Sequence, residues 1–156
     1  MRIAHHELHA HVLPRLAAKS EALGIFRVGA RAASDEEEGR ALLLEERAGL
    51  FPRARRRELA LRHRAALMVH QGAPFAELVR WLEAEAEPRS RAVELALRAS
   101  RGGGLGRERV YIPAYLRLKV EFSREPWLER FFERGRVSIA AARVLRGLER
   151  SAVERG

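Results

Sequence analysis

Residues 74–100 read PFAELVRWLEAEAEPRSRAVELALRAS, and their spacing decides the fold class. Phe75, Leu78, Val79 and Leu82 recur at the three- and four-residue intervals of one helical face, with Trp81 at its flank. Pro88 cannot continue an α-helix, because it lacks an N–H and its ring collides with the preceding turn. The spacing therefore predicts a helix from Phe75 to Ala86, a corner at Glu87-Pro88, and a second helix from Arg89 to Ser100 carrying Val93, Leu95, Ala96 and Leu97. Two helices across a short corner are what a helix-turn-helix requires, although an ordinary helical hairpin in a bundle has the same outline.

Toward the N-terminus, Gly49 and Pro52 separate two further helices. One is predicted from Asp35 to about Ala48, with Ser34 and Glu37 placed as a capping box and Glu36, Glu37 and Glu38 as an acidic first turn. The next begins at Pro52 and runs to Gly72, with Leu59, His63, Ala66, Leu67 and His70 at helical spacing. Residues 1–33 read as a short, reduced or irregular segment: a histidine-rich start, Pro14, an apolar stretch from Leu16 to Leu23, and a strand-like Ile25-Phe26-Arg27-Val28.

Toward the C-terminus, Arg101-Gly102-Gly103-Gly104-Leu105-Gly106-Arg107 reads as a linker or loop tip, since no Gly-Lys-Ser/Thr follows to make a phosphate cradle. Leu116, Leu118, Val120 and Phe122 alternate with Arg117, Lys119 and Glu121, the period of a half-buried strand, and with Arg109 to Ile112 predict a small hairpin near 109–122. A helix from Pro126 to Arg134 follows, stopped by Gly135, and then Ser138 caps a helix from Ile139 to about Glu154. The expected fold is thus mainly α. A multi-helix domain over 34–156 contains the helix-turn-helix, a small β element and an inserted segment at 101–122.

Composition bounds the function. Lys+Arg 30 against Asp+Glu 21 gives a net charge of +9 and a pI near 11.2, which favours polyanionic partners. Only Lys19 and Lys119 are lysines, and Asn and Thr are absent, a bias that fits a GC-rich genome and growth at high temperature. With no cysteine, disulfides, thiol nucleophiles and cysteine-ligated metals are excluded. Residues 1–16 hold no unbroken apolar run to serve as a signal core or membrane span, so a cytoplasmic, nucleoid-associated protein is expected.

The order of these signals resembles the DNA-binding half of the ParB/KorB partition-protein family. The resemblance rests on Leu42 to Pro52 as an apolar helix ending in Leu-x-Pro and on Gly72 to Leu82 as the first helix of the helix-turn-helix. It rests as well on Phe131-Phe132-Glu133-Arg134-Gly135-Arg136-Val137-Ser138 followed by Ala142-Arg143-Val144-Leu145. Members carry an arginine-rich nucleotide motif that here has only Pro14-Arg15-Leu16-Ala17-Ala18 to match it, so no CTP site and no cofactor is implied. The resemblance implies a sequence-specific double-stranded DNA-binding protein, a partition factor or transcriptional regulator and not an enzyme. Pairing into a homodimer would come from these helices or from DNA. Arg89, Arg91 and Arg98 become the base or near-base residues of the reader, Ser90 can bond either a base or a phosphate, and Arg101, Arg143 and Arg146 are its phosphate contacts. A rival register places the reader after Gly106, with Arg107, Arg109 and Tyr111.

Other chemistries are weighed beside this one. His5, His6, His9 and His11 cluster, and His5 with His9, four apart, would share a helical face as metal ligands do. Glu7 falls between them rather than after them, so the reading is a frayed terminus with weak metal affinity and no metal site. His63 and His70 read as packed histidines. No serine stands in a Gly-x-Ser-x-Gly elbow, and no small-molecule substrate is evident. The alternative function is a helical factor that docks on a host enzyme through an exposed Trp127, Phe131 and Phe132. A single-strand or RNA binder would need Tyr111 and Tyr115 on a sheet beside Arg117 and Lys119.

Overall fold

The computed structural model describes residues 1–101 and 106–153. In chain order the helices are α1 (Arg2–His6), a π-helical turn (Glu7–Val12), α2 (Leu13–Ala17), α3 (Ile25–Val28), α4 (Ala33–Arg47), α5 (Arg53–His70), α6 (Phe75–Ala84), α7 (Arg89–Ser100), α8 (Tyr111–Arg124), α9 (Leu128–Arg134) and α10 (Ile139–Val153). The mainly helical class is as the periodicity predicts. The chain divides into two compact units: Met1–Leu50 with Ala114–Gly156, and Phe51–Pro113.

Several local expectations are corrected. No strand occurs among the described residues, and the 109–122 hairpin is absent. The residues that alternate belong to α8, where Ala114, Leu118 and Phe122 lie four apart on the buried face while Leu116 and Val120 are exposed. Pro113 sits in the first turn of α8, where its missing N–H has no helical acceptor to lose. Ile25–Val28 is a helical turn, not a strand. The histidine-rich start is not frayed: α1, the π-helical turn and α2 form one helical path, with Glu7 and Leu13 at the junctions in right-handed helical conformation. The central loop glycines 102–104 and the predicted helix end at Glu154 fall outside the described residues.

In the first unit α4 is central, buried along most of its length, including Glu36 to Leu43 and Glu45. Its N-terminus carries no side-chain cap, so the Ser34–Glu37 capping box is not made; Ala32 enters the helix at φ +66°. The acidic run is instead turned into the interior. Glu36 Oε2 accepts the N–H of Ile139 at 2.7 Å and so caps α10 together with Ser138, whose Oγ accepts from Ala141 at 3.2 Å. The aromatic rings are core: Phe132 lies edge-on to Phe122 at 5.2 Å, and Phe131 edge-on to Trp127 at 5.7 Å. That packing removes the exposed aromatic patch on which the docking-factor reading depended. A Cβ on Gly135 would stand 2.5 Å from the Phe26 carbonyl oxygen, and the same oxygen accepts from Arg136 N–H at 2.9 Å.

Gly39 sets the approach of α8 to α4. A Cβ there would lie 2.5 Å from the Ala114 carbonyl carbon and 2.7 Å from the Tyr115 nitrogen, so backbone rather than a pliant side chain would have to yield. Gly39→Ala is expected to lower stability by about 1–3 kcal/mol, despite alanine's better helix propensity, as a lower urea midpoint.

The second unit packs α5, α6 and α7 around Leu61, Ala65, Leu78, Leu82, Leu95 and Ala96. The corner between α6 and α7 turns through Ala86 at φ +63°, and its ladder closes by Glu87 N–H to the Leu82 carbonyl at 3.2 Å. A buried ion pair ties α5 to the turn before α8. Arg62 Nε and Nη2 donate to the two Glu108 oxygens at 2.6 and 2.7 Å, and Arg98 Nε donates to Oε1 at 2.7 Å. Burial would raise the Glu108 carboxyl, but the two guanidinium groups hold it below its usual range. A depressed carboxyl contributes stability above its unfolded value and loses it as pH falls through the folded value. Glu108→Gln leaves buried Arg62 with Glu58 alone, at 3.2 Å from Nη1, and is expected to destabilise this unit at neutral pH by about 1–3 kcal/mol, with the difference from wild type shrinking in acid. Denaturant melts at both pH values measure it.

Candidate metal centre

An α-helix advances about 100° per residue, so side chains five apart point about 140° away from each other. In a π-helical turn each N–H reaches back five residues, and residues five apart return to one face. The turn at Glu7–Val12 therefore brings His11 beside His6, with ring centroids 5.5 Å apart. Both rings are buried, at 9% and 8% exposure, and both meet carboxylates of α4.

Glu38 lies between the rings: its Oε2 is 3.5 Å from His6 Nε2 and its Oε1 is 3.9 Å from His11 Nε2. Glu45, two helical turns further on the same face, accepts from His6 Nδ1 at 2.7 Å and leaves Nε2 toward Glu38. Glu37 Oε2 stands 3.9 Å from His11 Nδ1. Imidazoles that hold a metal have their outer nitrogen engaged in this way, and the carboxylate behind the ring orients it. His6, His11 and Glu38 each offer one donor atom, and these atoms lie within 4.8 Å of one another. Two imidazoles and a carboxylate are the His2Glu set of catalytic zinc sites, which leave further coordination positions for water and substrate.

The electrostatics also favour a cation. Burial pulls the His6 ring down, but the hydrogen bonds it donates to the Glu38 and Glu45 carboxylates outweigh it and lift the ring to about 9. Burial prevails at His11, which falls below its ordinary value in spite of Glu38 and Glu37. Glu37, Glu38 and Glu45 are each at most 5% exposed, and Glu37 Oε1 is buried without a hydrogen bond. Arg2 approaches Glu45 at 3.4 Å, and Arg15 and Arg136 approach Glu37 at 3.9 and 3.4 Å. Glu7, exposed and directly after His6, acts electrostatically on the His11 ring. The local sequence is thus His-Glu-x-x-x-His, a pair of donors with an acid beside the first.

A family model described as microtubule-associated tyrosine carboxypeptidase, MATCAP, matches residues 1–154. The chain belongs to that family. No curated protein and no solved structure matches it. Membership in MATCAP overturns the ParB/KorB resemblance, and with it the expectations of a non-enzyme, of plasmid partition or transcription regulation, and of double-stranded DNA as partner. The helix, glycine turn and Ser-capped helix of 131–145 that carried the resemblance are a general helical corner, required here by the close pass of Gly135 over Phe26.

The arginines assigned to DNA are mostly engaged with partners inside the chain. Arg89 pairs with Glu83 at 2.9 Å, Arg91 with Glu94 at 2.7 Å, and Arg98 with Glu108; Ser90 and Arg101 are exposed beside them in the second unit. Arg143 and Arg146 belong to the first unit, where Arg143 bridges Glu121 and Glu125 and Arg146 lies 4.1 Å over the Trp127 ring. Arg107 and Arg109 of the rival register form a 3₁₀ turn before α8. Tyr115 is buried on α8, so the sheet platform of an RNA binder is missing too.

Sequence reasoning named His6 and His11 within the histidine cluster but set the cluster aside as a frayed terminus, placed Glu7 between ligands rather than after one, and read Glu37 and Glu38 as a helix's first turn; Glu45 it did not single out as a site residue. His5 and His9 do lie side by side, 4.4 Å between centroids, but the grouping with a carboxylate belongs to His6 and His11. The available signal was a glutamate directly after His6 with a histidine five positions from it, and a dense acidic helix to answer it.

Proposed function

We propose that this chain carries the metal-dependent centre of a carboxypeptidase that releases a C-terminal tyrosine from a polypeptide. The observation that carries the reading is the convergence of His6, His11 and Glu38 donor atoms within 4.8 Å, with Glu7 next to His6 in the sequence. Membership in MATCAP supports tyrosine as the residue released and a microtubule protein as the substrate. A zinc-type cation held by His6, His11 and Glu38 would polarise the scissile carbonyl and acidify a bound water. Glu7 is the chain's own general base: it takes the proton of the attacking water and delivers it to the departing amine. Glu45 and Glu37 keep the two rings in register, so that Nε2 of each faces Glu38.

Zinc content of the purified protein and tyrosine release from a peptide ending in a free tyrosine test this together. Stoichiometric zinc with release from the free acid, and none from the C-terminal amide, is the expected result. Zinc-loaded protein that releases no tyrosine sinks the proposal.

Metal affinity should also depend on pH with a definite sign. His6 is protonated in the metal-free protein up to about 9, and a ligand must be deprotonated to bind. Apparent zinc affinity is therefore expected to rise about tenfold per pH unit between neutrality and about 9, as read by competition with a chelating dye.

A further inference from the structure

Beside the metal-binding turn the first unit contains a cavity of about 360 Å³, lined by His9, Leu13, Pro14, Ala17, Arg40, Leu44 and Glu133. Arg40 is its anomaly. The residue is 8% exposed, and its one hydrogen bond runs from Nη1 to the His9 carbonyl at 3.1 Å. The carboxylates whose charge reaches it, Glu133, Glu129 and Glu37, make no ion pair with it. A buried guanidinium is ordinarily paired with an anion, because leaving it desolvated and unpaired costs several kcal/mol. Facing it, Leu13, Pro14, Ala17 and Leu44 offer apolar wall, while the exposed Glu133 supplies a carboxylate at the rim.

We propose that this cavity binds a free α-amino acid with an apolar or aromatic side chain. The carboxylate pairs with Arg40, whose fork geometry suits two parallel bonds to carboxylate oxygens. The ammonium group meets Glu133, and the side chain covers Leu13, Pro14 and Leu44. Such an amino acid is what the proposed peptidase releases, so the site would retain product beside the metal cluster. In that link alone the inference rests on the proposed function; the binding itself requires neither metal nor cleavage.

The test uses metal-depleted protein and L-phenylalanine as a soluble probe, followed by NMR shifts of the Leu13 and Leu44 amides. Phenylalaninamide, which lacks the carboxylate, is expected to bind about tenfold or more weakly. N-acetylphenylalanine, which lacks the ammonium, should lose less, because Glu133 is solvent-exposed. Arg40→Met should erase the preference for acid over amide. Leu13→Trp, at a position already half in solvent, should block binding by filling the cavity and decides the matter if Arg40→Met does not fold. Equal binding of acid and amide overturns the proposal. So does a preference retained by Arg40→Met, or phenylalanine binding that Leu13→Trp leaves intact. A protein that binds phenylalanine but cleaves no peptide keeps this site and loses the proposed function; one that cleaves without binding phenylalanine does the reverse.

Discussion

Glu7→Gln is expected to keep its metal and lose tyrosine release by about a hundredfold to ten-thousandfold, the range for removing a general base. The argument is positional. Glu7 follows a buried candidate ligand, His6, is itself exposed to solvent, and acts electrostatically on the His11 ring. It makes no structural hydrogen bond or ion pair, and an isosteric amide there leaves packing unchanged. Unchanged zinc content with a collapsed kcat identifies the base. Activity within about threefold of wild type would assign proton transfer to another group.

Glu38→Ala should have the opposite signature: zinc content and activity lost together. Glu38 approaches both rings at Nε2, whereas Glu45 approaches His6 Nδ1 and Glu37 approaches His11 Nδ1. Truncation removes a donor, and it also removes one of the two carboxylates that raise His6. Glu45→Gln provides the graded comparison, since loss of an orienting partner typically weakens metal about ten- to a hundredfold without abolishing it. If Glu38→Ala held zinc as tightly as wild type, the cluster would not be the metal site.

The helices were readable in the sequence because their apolar faces are periodic and their ends are punctuated. Arg89–Ser100 stands where Pro88 and the Val93–Leu97 spacing put it, and Ser138 caps α10 as its position suggests. The site was harder to read for a physical reason. A spacing of five is off-face in any α-helix, so His6 and His11 are paired only by a turn of different pitch, and nothing in the residues Leu8, His9 and Ala10 announces that pitch. The acidic run misled in a similar way. Asp and Glu are favourable at a helix N-terminus wherever they point, and only the tertiary packing turns Glu36, Glu37 and Glu38 inward. The strand-like alternation of 116–122 failed because Leu118 and Phe122 satisfy both periods at once.

One turn of α4 carries three attachments. Glu36 holds the first N–H of α10, Glu38 meets both imidazoles, and Gly39 receives the backbone of α8. These contacts lie within a single helical pitch, so one short stretch of backbone sets the start of α10, the approach of α8 and the Glu38 oxygens against the two rings. The start of α10 is therefore coupled to the candidate donor cluster as directly as the helix that bears the histidines.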